Sequence, residues 1–194
     1  MDGFNSYVPP TTKISFQSDK RFHVFLSFRG KELRETFVNH LYEALSAAGL
    51  RVFLDTKELK RGEFIDESLK AAIKSSAIRI PIFSKCYAES VWCLREATCM
   101  LEAPESSQRG EARGRLVVEV PADTRNSMGL IIPLFYDVEP THVRFPQSDS
   151  SPYAHYFAKH YENGRFEREE IERWKQSLRE ISSKSGWSME LTGG

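Results

Sequence analysis

Apolar positions along the chain alternate between runs of period 2 and runs spaced three or four apart. In RFHVFLSF, Phe22, Val24, Leu26 and Phe28 share one face, and His23, Phe25 and Ser27 share the other. Both faces are largely apolar, which predicts a strand inside a sheet covered on both sides. Leu33, Phe37, Leu41 and Leu45 follow at intervals of four and stop before Gly49, the pattern of an amphipathic helix with a glycine end. LRVFLD predicts a second strand, and FIDESLKAAI, with Phe64, Ile65, Leu69 and Ile73, a second helix. IRIPIFS predicts a third strand, where the missing donor of Pro81 implies a local irregularity or a nearby edge. SVWCLREATCM is then a third helix, with Trp92 and Glu96 on one face because positions i and i+4 project together.

The pattern breaks after Ala103 into the polar PESSQRGEARGR, with LVVEV a candidate short strand. GLIIPLFYDV is the clearest later strand and runs into EPTHVR. Ile171, Trp174, Leu178 and Ile181 define the apolar stripe of a closing helix. Strands alternating with helices predict a parallel sheet joined by right-handed crossovers. The expected organisation is a leader over residues 1–20, one domain over 21–187, and a frayed tail or boundary over 188–194.

Composition narrows the chemistry. The 194 residues are 40% apolar, enough for one well-developed core. Equal numbers of basic and acidic residues, 27 of each, leave no global field for a phosphate backbone, although a local cluster can still hold a nucleotide. No secretory signal and no membrane-length apolar run is visible. Cys86, Cys93 and Cys99 form no CxxC pair, and no HExxH motif accompanies the five histidines, so neither a structural zinc site nor a metal hydrolase is expected. His23 reads as a packed strand residue and Cys93 as a buried helical thiol.

In open parallel sheets the ligand crevice lies beyond the carboxyl ends of the strands. Three loops gather there. The first, FRGKELR, offers Arg29 and Arg34 for phosphate or ribose oxygens and Gly30 for close backbone approach. The second, DTKELKRGE, offers Lys60 and Arg61 as a basic lip. The third leads to Ser90, Trp92 and Glu96. Taken singly, each has a bland reading: surface ion pairs for the arginines, a solvated turn for Lys60 and Arg61, a helix cap for Ser90, core for Trp92. Their convergence on one rim is more specific than any member. Neither GxGxxG nor GxxxxGK[ST] occurs, which argues against a dinucleotide hydride-transfer fold. A phosphoacceptor receiver is suggested by Asp55, but the third strand ends without an aspartate partner.

Taken together, HVFLSFRGKELRETFVNHLYEAL, VFLDTKELKRGEFIDESLKAAI, SKCYAESVWCLREA, IIPLFYDVEPTHVR and WKQSLREISSKSGW resemble a plant Toll/interleukin-1 receptor (TIR) domain over roughly residues 20–187. The resemblance implies an α/β, flavodoxin-like, five-stranded parallel sheet covered by helices on both faces. It also implies NAD nucleosidase activity in self-associated assemblies, generating nucleotide signals for plant immunity that act on lipase-like immune complexes. NAD is then the substrate, and neither cofactor nor metal is required. Nucleic acid is a secondary substrate in some members, and the implied compartments are the cytoplasm and also the nucleus. By position, the catalytic glutamate matches Glu96, the pocket aromatic Trp92 and the substrate-contacting serine Ser90. Arg29, Gly30 and Arg34 match the first loop, residues 56–63 with Lys60 and Arg61 the lid, and His40 a self-association surface. The chain departs from the family pattern at Lys31, Glu32 and Leu33 after Gly30, at Asn39 where serine is common, and in its long segment from Pro104 to Met128. A non-catalytic adaptor or scaffold acting through homotypic contacts is the alternative function.

Overall fold

The computed structural model describes residues 22–54, 67–102 and 129–190. The expected leader, Asp55, the lid with Lys60 and Arg61, the LVVEV strand and the long 104–128 segment lie outside the described residues.

The chain opens with β1 (Val24–Ser27), followed by a continuous helical run: α1 (Lys31–Leu33), a π-wound stretch (Arg34–Val38) and α2 (Asn39–Ala47). Next come β2 (Val52–Leu54), α3 (Glu67–Ser75), β3 (Ile78–Phe83), a 3-10 turn (Tyr87–Glu89) and α4 (Val91–Leu101). The remainder comprises β4 (Leu130–Ile131), β5 (Leu134–Tyr136), α5 (Pro140–Arg144), α6 (Ala154–Glu162), α7 (Arg168–Ser182) and β6 (Trp187–Met189). Every strand pairing is parallel, in the order β2-β1-β3-β5-β6, with β4 also paired to β3. Helices cover both faces, as the flavodoxin-like reading requires.

The two faces of β1 are both buried, as the period-2 pattern predicts. Val24 and Leu26 pack with Ile80, Ile82 and Leu134 against Leu33 and Val38 of the first helical run. Phe25 packs with Phe83 and Phe135 against residues of α3, α4, α6 and α7. The π turn, in which the Asn39 amide bonds to the Arg34 carbonyl, was not expected. A wider turn suits a stripe spaced strictly by four, which drifts around an ordinary α-helix.

Pro81 does not mark an edge: β3 is central, bonded to β1 on one side and to β4 and β5 on the other. The expected irregularity is present instead. β3 pairs with β4 at Ile78 and Arg79 and with β5 at Ile82 and Phe83, and the same register carried across the gap sets Pro133 opposite Pro81. Two residues without an N–H face each other, so the ladder lapses there and GLIIPLFYDV becomes two short strands.

The outer strand is β6, from a segment whose last residues were expected to fray. The Trp187 amide bonds to the Pro133 carbonyl at 3.1 Å, and a Cβ on Gly186 would lie 2.1 Å from that oxygen, so only glycine admits the approach.

Arg79 is a cation placed inside an apolar strand, 0% exposed. Its Nε donates to the Ile73 carbonyl at 2.8 Å, Nη2 to Lys74 at 3.2 Å and Nη1 to Met100 at 2.6 Å. It thus satisfies carbonyls at the C-terminal ends of α3 and α4, where partial negative charge accumulates. Burial lowers its pKa from the usual arginine value.

Candidate functional site

The chain leaves β1 for β2 on one side of the sheet and reaches β3 on the other, so the order reverses between β1 and β3. That reversal is the topological switch point where α/β sheets open a crevice. Ser27 closes β1 at this point, and its hydroxyl lies 2.5 Å from Glu96 Oε2 on α4. Glu96 is only 1% exposed.

The same hydroxyl is 2.8 Å from the phenol of Tyr87, which in turn donates to the Cys93 carbonyl at 3.1 Å. Cys93 Sγ donates to the Phe28 carbonyl at 3.3 Å, and Cys86 Sγ reaches the Arg29 carbonyl at 3.8 Å. Tyr153, just before α6, donates to the Ser84 carbonyl at 2.8 Å. These contacts fasten α4 and the loop after β3 to the end of β1. Burial raises both phenols well above the ordinary tyrosine value, with nearby thiols adding to the effect. Burial, and then Glu96, pushes the Cys93 thiol far up, and burial pushes Cys99 up to about 11. All three cysteines are free, and Cys93 and Cys99 are the buried, inert thiols that the helical setting predicts.

The remaining expected residues are distributed around this core. Ser90 caps α4 by accepting the Cys93 amide at 3.3 Å, the structural role open to it from sequence. Trp92 is half-buried against the core one turn before Glu96. Gly30 has φ 105°, a left-handed backbone value that favours glycine, while a Cβ there would meet only Cys86 Sγ at an ordinary 3.8 Å. Its need is therefore conformational rather than steric. Arg29 is half-exposed and pairs with Glu89 at 3.6 Å. Arg34 lies on the π turn with its guanidinium 4.8 Å from the centre of the Phe28 ring. His40 is exposed on α2, away from Glu96 in the fold, its Nδ1 3.0 Å from the Thr36 carbonyl. His23 is buried and accepts the Arg51 amide at 3.0 Å, with its pKa lowered by burial and then by Arg51.

Sequence reasoning assigned no site role to Ser27 or Tyr87. The available signals were a lone serine ending an apolar strand and a tyrosine three residues before the Ser90 cap. Among the described residues no helix is long and apolar enough to cross a membrane.

Comparison with known proteins agrees with this geometry. The TIR domain model matches residues 21–110. TMV resistance protein N of Nicotiana glutinosa is 34% identical over 85% of this chain and 12% of its own length. Disease resistance protein RUN1 of Vitis rotundifolia is 35% identical over 87% of this chain and 11% of its own. The chain thus spans about a tenth of these curated relatives. A TIR-domain chain from the activated Roq1 resistosome, which directly recognises the pathogen effector XopQ, superposes with a TM-score of 0.66 at 35% identity, covering 88% of this chain and 89% of that one. The chain belongs to the TIR domain family, alongside the TIR domains of plant disease-resistance proteins.

Proposed function

We propose that the chain is a NAD nucleosidase, activated by self-association, that cleaves the bond between nicotinamide and ribose. One observation carries the reading: Glu96 is held at the carboxyl end of β1, at the switch point, by the Ser27 hydroxyl. In NAD the nicotinamide ring is cationic and leaves as a neutral molecule, so the departing group needs no proton. A single carboxylate then suffices, in contrast to the paired carboxylates of ordinary glycosidases. Glu96 accepts hydrogen bonds from the hydroxyls of the nicotinamide-side ribose and stabilises the oxocarbenium charge as the bond breaks. Trp92 packs against a nucleotide ring or ribose edge, Ser90 contacts the sugar, and Arg29, Arg34, Lys60 and Arg61 orient the phosphates beside Gly30.

Water captures the sugar cation to give ADP-ribose. An adenine nitrogen or a second nucleotide gives a cyclised or transferred product instead. NAD is consumed as substrate, and the reaction needs no cofactor. Nucleic acid is a secondary substrate in this reading, and the products act on lipase-like immune complexes in the cytoplasm and nucleus.

The burial of Glu96, 1% exposed, also favours a second reading, a homotypic scaffold without turnover. Incubating the purified chain with NAD, with and without a clustering agent, and separating all nucleotide products decides between them. Nicotinamide together with ADP-ribose or a cyclic isomer, increased by clustering, supports the enzyme; inactivity in both arms supports the scaffold.

A further inference from the structure

Arg29 follows the end of β1 and Glu89 closes the 3-10 turn before α4, so their ion pair crosses the crevice at the switch point itself. The separation, 3.6 Å from Nη2 to Oε2, exceeds hydrogen-bond length, so the contact is Coulombic and carries no directed bond.

Both backbones beneath the pair are pinned. The Phe28 and Arg29 carbonyls accept from the thiols of Cys93 and Cys86, and the Gly30 carbonyl accepts the Arg34 amide at 3.2 Å. Across the crevice the Glu89 amide bonds to the Cys86 carbonyl at 3.1 Å, the Ser90 amide bonds to the Tyr87 carbonyl at 3.2 Å, and His160 holds the Ala88 carbonyl. The two charged side chains, by contrast, are 35% and 49% exposed. The pair therefore opens by side-chain rotation, with the strand end and the helix left in place. Neighbouring cations have partners of their own: Lys85 pairs with Asp137 at 2.5 Å, and Lys31 with Glu35 on its own helical run. Tyr156 of α6 borders the same pair, since burial raises its pKa, Glu89 and Cys86 add to the rise, and Arg29 opposes it. An anion that comes to Arg29 meets Glu89 both as a competitor for the guanidinium and as a like charge.

We propose that Glu89 is a positioning residue for the phosphates of the substrate: it holds Arg29 across the crevice, and a diphosphate must displace it to reach the guanidinium. This deepens the nucleosidase reading and rests on its assignment of Arg29 to the phosphates. A phosphate oxygen accepts charge-assisted hydrogen bonds at about 2.7–2.9 Å, which the Glu89 contact lacks, and so takes the guanidinium from it. Glu89 thus selects by charge, because a nucleoside without phosphates has nothing to offset the parting of the pair.

The test is calorimetric titration of the full chain with ADP-ribose, which carries the diphosphate and has no nicotinamide to release. Glu89→Gln removes the competing charge at nearly the same shape and should tighten binding roughly threefold to tenfold at low salt, the scale of an exposed ion pair together with a lost repulsion. The gain should shrink as salt rises, because both contributions are screened. Glu89→Asp keeps the charge and should bind within about twofold of the wild type. Arg29→Gln should weaken binding, and Glu89→Gln added to it should gain clearly less than in the wild-type background, since no guanidinium remains to be released. A turn merely loosened by substitution shows neither the salt dependence nor the dependence on Arg29. Unchanged or weaker binding in Glu89→Gln, an equal gain in Glu89→Asp, a gain indifferent to salt or to Arg29, or no binding of ADP-ribose by any of the proteins overturns the proposal. The two readings fail separately. Tighter binding in Glu89→Gln without nicotinamide release from NAD removes the nucleosidase and keeps the role of Glu89, whereas active turnover with unchanged binding does the reverse.

Discussion

The hydroxyl of Ser27, the last residue of the central strand β1, lies 2.5 Å from the carboxylate oxygen of Glu96 on the helix that follows β3. The contact spans the point where the strand order reverses. It gives Glu96 a fixed place at the switch point of the sheet.

Arg79 joins the C-terminal ends of α3 and α4 through three carbonyls, and α4 carries Glu96. Arg79→Met fills the same space without donors and strands those carbonyls, at a cost of about 3 kcal/mol or more. Urea unfolding monitored by circular dichroism should therefore show a clearly lower midpoint, with Arg79→Lys recovering only part because a single ammonium lacks the planar fork.

Gly186 lets the chain pass over Pro133. Gly186→Ala forces a methyl into the Pro133 carbonyl, so the segment must shift at a cost of roughly 1–3 kcal/mol. Hydrogen exchange is the sensitive readout: protection should fall at Trp187–Met189 and at β5, while β1 and β2 keep theirs.

His160 of α6 approaches the Ala88 carbonyl at 2.9 Å and lies edge-on to Phe157, Phe166 and Trp174. Burial lowers its pKa below the usual 6.5, with the Ala88 bond opposing. The unfolded chain binds the proton first, so the stability this residue contributes is complete above about pH 6.5 and falls as pH drops toward its folded value. His23 acts with the same sign. Denaturation midpoints at pH 7 and pH 5 should therefore differ less in His160→Gln than in the wild type.

His40 is exposed on α2 and takes no part in the Glu96 cluster. As a member of a self-association surface, His40→Ala should weaken concentration-dependent assembly roughly fivefold or more, with the monomer fold unchanged. Sedimentation velocity over a wide concentration series measures this directly, and an unchanged series removes His40 from the interface.

Burial explains what could be read from sequence and what could not. β1, β3 and α4 were legible because their apolar positions repeat with a period and are covered on the predicted faces. The strand Trp187–Met189 is exposed along its length, so no burial pattern marks it, and it exists because β5 offers a partner. The facing of Pro81 and Pro133 is a matter of register between segments about fifty residues apart, which local reading cannot reach. Glu96 was singled out through motif order, and the helix that carries it also carries Trp92 and is capped by Ser90. Ser27 and Tyr87 were passed over because a small hydroxyl in a strand and a tyrosine in a turn acquire meaning only when the sheet brings them to one carboxylate. Arg79 in an apolar strand carried a signal, a cation with no sequence neighbour to pair with, whose partners turned out to be backbone.

The most direct measurement is the initial rate of nicotinamide release from NAD by the wild type and by Glu96→Gln, at matched folded concentration under clustering conditions. Glutamine preserves the shape of the side chain and can still accept from Ser27, but it cannot carry the negative charge that stabilises the sugar cation. The account predicts a fall of at least about a hundredfold, the scale of a lost electrostatic stabiliser, with an unchanged circular dichroism spectrum. Equal rates in the two proteins would contradict it.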